Sequence, residues 1–343
     1  MKRLLNTLYV TTQGAYLARD GETVAVRFEG GTLVQVPIHT LSGIVCFGHV
    51  GCSPALMGLC GERQVALSFL TFHGKFLARV TGPVSGNVLL RREQYRQADD
   101  PSASAGLAWS VVGAKIANSR VVLLRAVRDR PENPVNHVLR EAAAQLMEIL
   151  QALRADMALG TIRGHEGEAA RVYFNVFPHL IVADKEAFRF AGRNRRPPLD
   201  NVNALLSFVY TLLAHDIAAS LEAVGLDPAV GFLHRDRPGR PGLALDMMEE
   251  LRPYLADRLV LSLINRQQVT SKDFVLTESG AVHMDEKVRK AVLVAYQKRK
   301  EDELQHPFLG EKIAVGLLPH VQAMLLARHL RADMDAYPAF VWR

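Results

Sequence analysis

Short apolar runs with a period of two fill the first part of the chain. Val24, Val26 and Phe28 alternate with other residues along 23–28, which predicts a half-buried strand. Asp20-Gly21 lies between two such runs, and this dipeptide favours a tight hairpin. A short helix is expected between Pro54 and Cys60. The many short strands predict a small sandwich-like β domain over residues 1–86.

From residue 87 onward the spacing of apolar residues becomes that of helices. The polar segment 97–106 (QADDPSASAG) predicts a loop, and 273–284 predicts a two-strand hairpin around Glu278-Ser279-Gly280. The chain is therefore expected to be an α+β protein with a β domain over 1–86 and a larger, mostly α-helical domain over 87–343. Helices are predicted over 89–96, 107–127, 134–153, 166–177, 201–225, 246–257, 284–303 and 310–334.

Composition narrows the class of protein. The 343 residues are 49% hydrophobic and carry a formal net charge of +6. That moderate excess fits a mildly basic enzyme, or a protein that binds phosphate backbones if the charge lies on one face. The 3 cysteines form no CxxC pair, so neither a zinc site nor a disulfide framework is expected. The first ten residues are too short for a signal-peptide core and no run of ~20 apolar residues follows, so we expect a cytoplasmic protein without a membrane segment.

The first segment with candidate chemistry is 163–171 (RGHEGEAAR). If Glu166 begins a helix, Ala169, Ala170 and Tyr173 share its face, and two alanines beside a carboxylate leave room for an ion and a ligand. Glu168 then points the opposite way. The alternative is a solvated acidic helix start that the helix dipole favours.

A second segment, 231–242 (GFLHRDRPGRPG), is a loop rich in proline and glycine. It contains His234, and Arg235, Arg237 and Arg240 follow it. The alternative interpretation is a structural histidine with solvated arginines.

The third segment, 243–253, contains Asp246 and Glu249 three residues apart, which places both on one helix face. Glu250 lies near that face too. Like charges at this spacing repel by a few tenths of a kcal/mol, and a cation would reverse the sign of the effect. The alternative is an ordinary acidic surface.

A basic loop over 192–198 supplies further candidates for phosphate contacts, since arginine side chains can fork onto phosphates. These candidates are Arg193, Arg195 and Arg196, and the alternative is a solvated linker.

Together these segments predict one site. Carboxylates with one imidazole form an oxygen-rich set of ligands that suits Mg²⁺ or Mn²⁺ better than zinc. A hard cation among carboxylates, surrounded by guanidinium groups, is typical of phosphodiester chemistry.

Three strings resemble one known family in order and wording. They are GxEGxAARxYF (164–174), PPxDxxNALLSFxYxLL (197–213) and GFLHxDRPGRPxLALDxMEExRP (231–253). They resemble the first-numbered family of CRISPR-associated (Cas) proteins, the spacer integrases, and the third string looks like the subtype I-C branch. The resemblance spans nearly the whole chain.

This resemblance implies that Glu166, His234 and Glu249 are catalytic residues and bind the metal. Asp246 is the second choice as a metal ligand, and Glu250 is the less favoured alternative to Glu249. The six arginines named above are then expected to contact DNA.

The resemblance also implies an endonuclease and integrase that forms a homodimer, presumed by analogy to pair through the β domain. Two dimers would assemble around a dimer of the small second Cas protein and join spacer DNA 3′-hydroxyls to the repeat by transesterification. Two other functions stay open on the residues alone: a DNA-binding scaffold without catalysis, and a metal-dependent phosphohydrolase acting on a small substrate.

Overall fold

The structure is a computed structural model that describes residues 6–72, 74, 76–80, 82, 88–194, 197–234 and 236–342. It divides into two compact units. The first comprises residues 1–86 and 292–301, and the second comprises 87–291 and 302–343. The second half of the helix Glu286–Glu301 therefore groups with the first unit, although the sequence pattern assigns all of it to the helical domain.

The first unit contains two four-stranded sheets. In one sheet the order is β1-β5-β7-β8, and in the other it is β4-β3-β2-β6. The β-rich amino-terminal region predicted from the alternating pattern is thus confirmed. The strands are β1 Asn6–Val10, β2 Tyr16–Asp20, β3 Thr23–Phe28, β4 Gly31–Pro37, β5 Leu41–Phe47, β6 Gly51–Cys52, β7 Ala66–Leu70 and β8 Phe76–Val80.

The hairpin turn and the short helix predicted for this unit are both present. Asp20 pairs with Thr23, so Gly21 and Glu22 make a two-residue hairpin turn between β2 and β3. Gly21 has a φ of 59°, a conformation that glycine adopts without steric penalty. Helix α1 (Pro54–Glu62) begins at Ser53, whose side chain accepts a hydrogen bond from the backbone N–H of Leu56.

One apolar core joins both sheets and α1. It includes Leu17 and Val24 from one sheet, Ile44 and Leu67 from the other, and Leu59 from the helix. The thiols of Cys46 and Cys60 are buried in it, and all three cysteines are free. Burial raises the pKa of each of these two thiols to about 12, which keeps them protonated and unreactive.

The second unit is mostly helical, as predicted. Its hairpin between β9 and β10 is also confirmed, with Gly280 at a φ of 78° in the turn. A second small hairpin joins β11 and β12. The elements are α2 Val88–Asp99, α3 Pro101–Asp129, α4 Asn136–Ala152, α5 Leu159–Val176, α6 Asn201–Ala223, α7 Gly242–Leu251, α8 Arg258–Asn265, β9 Phe274–Leu276, β10 Val282–Met284, α9 Glu286–Glu301, β11 Glu303–Gln305, β12 Lys312–Ala314 and α10 Leu318–Leu330.

The loop predicted over 97–106 is wrong. Helix α2 continues to Asp99 and α3 begins at Pro101, so the two helices are separated by Asp100 alone. The Asp100 side chain accepts a hydrogen bond from the backbone N–H of Ser102, and proline occupies the first turn of α3. The polar segment predicted as a loop therefore contains the end of α2 and, directly after it, the capped start of α3.

Helices α3 and α6 are long and apolar enough to cross a membrane by length and composition. Neither helix is an unbroken apolar run of ~20 residues, since polar and charged residues interrupt both. In each helix 61% of the apolar window is buried inside the protein, as in the core helices of a folded domain. Burial by neighbouring helices thus accounts for their apolar character.

A π-helical turn follows α7 directly. It spans Arg252–Asp257 and continues into α8. Pro253 stands in its first turn, where it cannot donate a backbone hydrogen bond. Such turns widen a helix locally and frequently occur beside functional side chains.

We expect the packing of α1 to distinguish its two glycines. A Cβ on Gly61 would lie 2.9 Å from the Cα of Gly82, whereas a Cβ on Gly58 would meet nothing within 4 Å. Gly61→Ala should therefore lower the free energy of unfolding by about 1–3 kcal/mol. Gly58→Ala should raise it by about 0.5–1 kcal/mol, since alanine favours helices. Urea unfolding of both variants measures the difference, and equal stabilities would contradict this packing.

Candidate active site

Helix α5 presents Glu166 from its middle, because the helix already begins at Leu159. The expectation that Glu166 starts a helix is therefore wrong, and with it the alternative of a solvated first turn. Ala169 and Tyr173 share its face as predicted, and both are buried. The small alanine side chain keeps the space beside Glu166 open.

Lys115 of α3 places its ammonium between the carboxylates of two other helices. Its Nζ contacts Oε1 of Glu166 and lies 2.7 Å from Oε2 of Glu249. The Lys115 side chain is 8% exposed and that of Glu249 is 4% exposed. Glu166 and Glu249, which are far apart in sequence, thus share one positive charge.

Glu249 also pairs with a second cation on its own chain segment. An Nη of Arg252 lies 3.0 Å from its Oε1. Burial by itself would raise the pKa of Glu249, but the charges of Arg252 and Lys115 outweigh that effect and lower the pKa to about 2. Glu249 is therefore ionised throughout the physiological range.

Asp246 binds the segment that carries His234. One of its carboxylate oxygens accepts the backbone N–H groups of Phe232 at 2.6 Å and Leu233 at 2.9 Å. The other accepts the backbone N–H of His234 at 2.9 Å and the ring Nδ1 at 2.6 Å. Because a carboxylate only accepts, Nδ1 carries a proton, and Nε2 is the ring nitrogen that could bind a metal.

Two glycines allow this segment to approach α7. A Cβ on Gly231 would lie 2.7 Å from Oδ2 of Asp246, and one on Gly242 would lie 2.7 Å from the carbonyl oxygen of Ala229. Only glycine at both positions permits so close a contact without a shift of the backbone. Arg163 of α5 completes the arrangement by donating from Nε to the carbonyl of Leu233 at 2.6 Å.

Glu250 faces away from this cluster. Its carboxylate accepts hydrogen bonds from Tyr337, from Gln322 and from the backbone N–H of Phe340. Burial raises its pKa to about 7, against the effect of these donors. The residue thus holds the carboxy-terminal segment against α7.

A narrow cleft with space for about one water molecule lies beside Lys115. Ala169 and Ala170 of α5 form part of its wall, and Arg252 and Asp257 of the π-helical turn form another part. The cleft is thus bordered by the two cationic side chains that contact Glu249.

Asp257 closes this wall through a buried hydrogen bond. Its Oδ1 accepts from the Tyr210 hydroxyl at 2.6 Å, and Arg252 lies over the same tyrosine ring at 4.5 Å. Burial raises the pKa of Asp257 to about 6, although the Tyr210 hydrogen bond and the charge of Arg252 oppose the shift.

The arginines predicted to contact DNA differ in their exposure and in their hydrogen bonds. Arg193 donates to Asn203 at 2.6 Å and to Ser207 at 3.1 Å, so its guanidinium is held against α6. Arg237 is exposed in the loop before α7, and Arg240 is half-buried there. The remaining three, Arg195, Arg196 and Arg235, lie outside the described residues.

The structure brings two of the three predicted metal ligands into contact with one cation. Glu166 and Glu249 meet at one ammonium, and His234 lies near enough to lower the pKa of Glu249. Within the described ranges, no three His, Cys, Asp or Glu side chains are arranged to hold an ion. The donor set nevertheless fits a hard cation, because two carboxylates already converge on a positive charge beside an imidazole.

The sequence interpretation did not single out Lys115, Arg252 or Asp257. A signal for Lys115 does exist, because it is a lone cation among the apolar positions of α3, with buried Val111 and Val122 on its face. Such a lysine must meet opposite charge inside the fold.

Three comparisons place the chain among known proteins. The model of the family "CRISPR associated protein Cas1" matches residues 8–298. The CRISPR-associated endonuclease Cas1 1 of Chlorobaculum tepidum is 57% identical over 343 residues, which cover 100% of both chains. A casposase bound to integration product has a TM-score of 0.83 at 23% identity, with 99% of this chain and 95% of that chain covered.

A Cas6-RT-Cas1–Cas2 complex also matches, with a TM-score of 0.83 at 21% identity. The match covers 100% of this chain and 36% of that chain. At this level of identity both structural matches establish a shared fold. The chain belongs to the Cas1 family of CRISPR-associated endonucleases.

The raised pKa of Asp257 predicts a pH-dependent stability. An acid whose pKa is higher in the folded protein stabilises the fold at low pH, and that contribution is lost as pH rises through the folded value. The unfolding free energy of the wild type should therefore decrease between about pH 4 and pH 6 relative to Asp257→Asn. Urea unfolding at several pH values measures this difference. Asp335→Asn, at an exposed position, should leave the profile unchanged, and an Asp257→Asn profile parallel to the wild type would contradict the assignment.

Proposed function

We propose that this chain is a metal-dependent DNA endonuclease and integrase of CRISPR adaptation, with Glu166, His234 and Glu249 as metal ligands. The observation that carries the proposal is the convergence of Glu166 and Glu249 on one cation. Asp246 then acts as the residue that orients His234, since both of its oxygens already accept hydrogen bonds from the His234 segment. Glu250 is disfavoured, because its oxygens hold the carboxy-terminal segment.

The oxygen-rich donor set favours Mg²⁺ or Mn²⁺. When bound, such an ion would activate an oxygen nucleophile and offset negative charge on the phosphate. The residues of the chain have separate tasks. Glu166 and Glu249 supply negative charge, and Asp246 accepts a hydrogen bond from Nδ1 of His234, which leaves Nε2 as the ring nitrogen that would face a metal. The exposed Arg237 is placed to attract phosphate, since arginine retains its charge under all relevant conditions.

The proposed reaction is a transesterification. The 3′-hydroxyl oxygen of the spacer DNA forms a bond to a phosphorus of the repeat. The bond from that phosphorus to the 3′-oxygen of the repeat breaks, the attacking hydroxyl releases its proton to solvent, and the leaving oxygen takes up a proton. Water in place of the hydroxyl gives strand cleavage. The casposase of similar fold is bound to an integration product, which supports the joining reaction.

The proposed partners follow from the family and its structural relatives. The Cas6-RT-Cas1–Cas2 complex has a similar fold, which supports assembly with the small second Cas protein. We further propose that the chain forms a homodimer through the β unit and that the six arginines named above contact DNA. We also propose that the protein is cytoplasmic and that it belongs to the subtype I-C branch. The basis of the last is the wording of the string over 231–253.

One observation favours a second function. Lys115 and Arg252 already neutralise Glu166 and Glu249 by ion pairs, as they would in a DNA-binding scaffold without catalysis. Chelation separates the two functions. EDTA should abolish strand joining by an integrase while its DNA binding continues, whereas a scaffold joins no strands with or without divalent ions. A phosphohydrolase of small substrates would lack the steep loss of duplex binding with salt.

Glu166→Gln should abolish strand joining. The variant keeps the size of the side chain and removes one carboxylate, so joining of a spacer end to repeat DNA should fall by about 100-fold or more. Glu168→Gln is the matched control, because Glu168 lies two residues away on the exposed side of α5. A strand-transfer assay with the second Cas protein and Mn²⁺ compares both variants. DNA binding should stay near the wild-type level in each, and wild-type joining by Glu166→Gln would refute the assignment.

A further inference from the structure

Lys115 is a buried cation held by two carboxylates that come from different helices. Its Nζ contacts Glu166 of α5 and lies 2.7 Å from an oxygen of Glu249 of α7. The Lys115 side chain is 8% exposed. An ammonium at such a position loses most of its hydration, and the two carboxylates compensate that loss.

The local charges balance without any added ion. Glu166 and Glu249 contribute two negative charges, while Lys115 and Arg252 contribute two positive charges. The carboxylate of Glu249 is buried and that of Glu166 is half-buried, so without a cation between them the two would repel. Lys115 therefore supplies the charge that holds Glu166 and Glu249 together.

We propose that Lys115 is an internal counter-cation, which occupies the cation position between Glu166 and Glu249 and is displaced when a divalent ion binds there. This inference rests on the proposed function, because it assumes that these two carboxylates are metal ligands. It adds a step that the ligand set alone does not contain, namely the exchange of a protein cation for a metal ion.

Charge repulsion is the physical reason for the exchange. A divalent ion beside both carboxylates would add two positive charges to a group that is already neutral. An ammonium in contact with the same two carboxylates would then face a double positive charge at short range inside a poorly screened site. Movement of Lys115 out of the position relieves that repulsion.

The narrow cleft beside Lys115 has space for about one water molecule, which is enough for a short shift of the ammonium. Ala169 and Ala170 form one wall, and their small side chains leave space next to the ammonium. Lysine is suited to such a movement, since its charge sits at the end of a flexible four-carbon chain. Arg252, on the same cleft, pairs with Glu249 and lies over the Tyr210 ring, and its planar guanidinium is less free to move.

The first test compares Mn²⁺ affinity in the full-length wild type and in Lys115→Met. Methionine keeps the apolar length of the side chain and removes the competing charge. The variant should bind Mn²⁺ more tightly by about tenfold, which corresponds to about 1.4 kcal/mol. Its melting temperature without metal should fall, because the two carboxylates then repel. Electron paramagnetic resonance of free Mn²⁺ measures the affinity, and Lys290→Met, at an exposed position, is the matched control.

A second measurement uses the wild type, so it does not depend on the folding of a variant. An amine-reactive reagent followed by peptide mass spectrometry reports the accessibility of each lysine. Labelling of Lys115 should be low without metal and should rise severalfold on addition of Mn²⁺. Labelling of the exposed Lys290 should stay constant.

The outcomes separate the two proposals. The proposed metal site is refuted if the wild type binds no Mn²⁺, or if Glu166→Gln binds Mn²⁺ as tightly as the wild type does. If that binding is present, but Lys115→Met binds Mn²⁺ no more tightly and Lys115 labelling does not change, the exchange alone is refuted. Tighter binding together with increased labelling supports the exchange.

Discussion

The charge on Glu249 is the constraint around which the helical unit is built. Its side chain is 4% exposed, and an isolated charge at such a position would destabilise the fold by several kcal/mol. Lys115 from α3 and Arg252 from the π-helical turn compensate it. Both cations must be buried to reach it, so α3, α5 and α7 have to pack closely. The ion pairs therefore determine how these helices meet, and the same contacts bring Glu166 to Glu249.

A second constraint acts on the loop before α7. The carboxylate of Asp246 collects three backbone N–H groups and the imidazole of His234. That arrangement requires the chain to pass close to α7, and Gly231 and Gly242 allow it. His234 is therefore held by the backbone around it, and its orientation does not depend on a bound ion. Preorganisation of this kind reduces the entropy that is lost when a ligand binds.

Sequence patterns predicted much of this structure because they reflect local physics. Alternation over 23–28 and the Asp20-Gly21 turn predicted the first sheet hairpin, and the change to helical spacing after residue 87 predicted the second unit. The loop expected over 97–106 failed because a single capping aspartate can both end and begin a helix. Glu166 was placed at a helix start, whereas α5 begins seven residues earlier, at Leu159, and continues through Gly164 and Gly167.

The partners of the buried charges could not be predicted in the same way. Helical spacing shows which side chains share a face, but it does not show which element lies opposite that face. Lys115 and Glu249 are more than one hundred residues apart in the chain, and only the tertiary packing of α3 against α7 joins them. The resemblance to a family supplied Glu166 and Glu249 as a pair. It did not supply the lysine between them.

The three buried acids of α7 differ in what neutralises them, and this difference bears on which one could bind a metal. Asp246 meets three backbone N–H groups and the ring N–H of His234, and Glu250 meets Gln322, Tyr337 and the backbone of Phe340. These contacts are hydrogen bonds that hold other parts of the chain, so a metal ion could not replace them without releasing those parts. Glu249 instead meets the charged groups of Lys115 and Arg252. A cation can take the place of another cation without a loss of hydrogen bonds elsewhere, which argues for Glu249 as the carboxylate that α7 would contribute to a metal site.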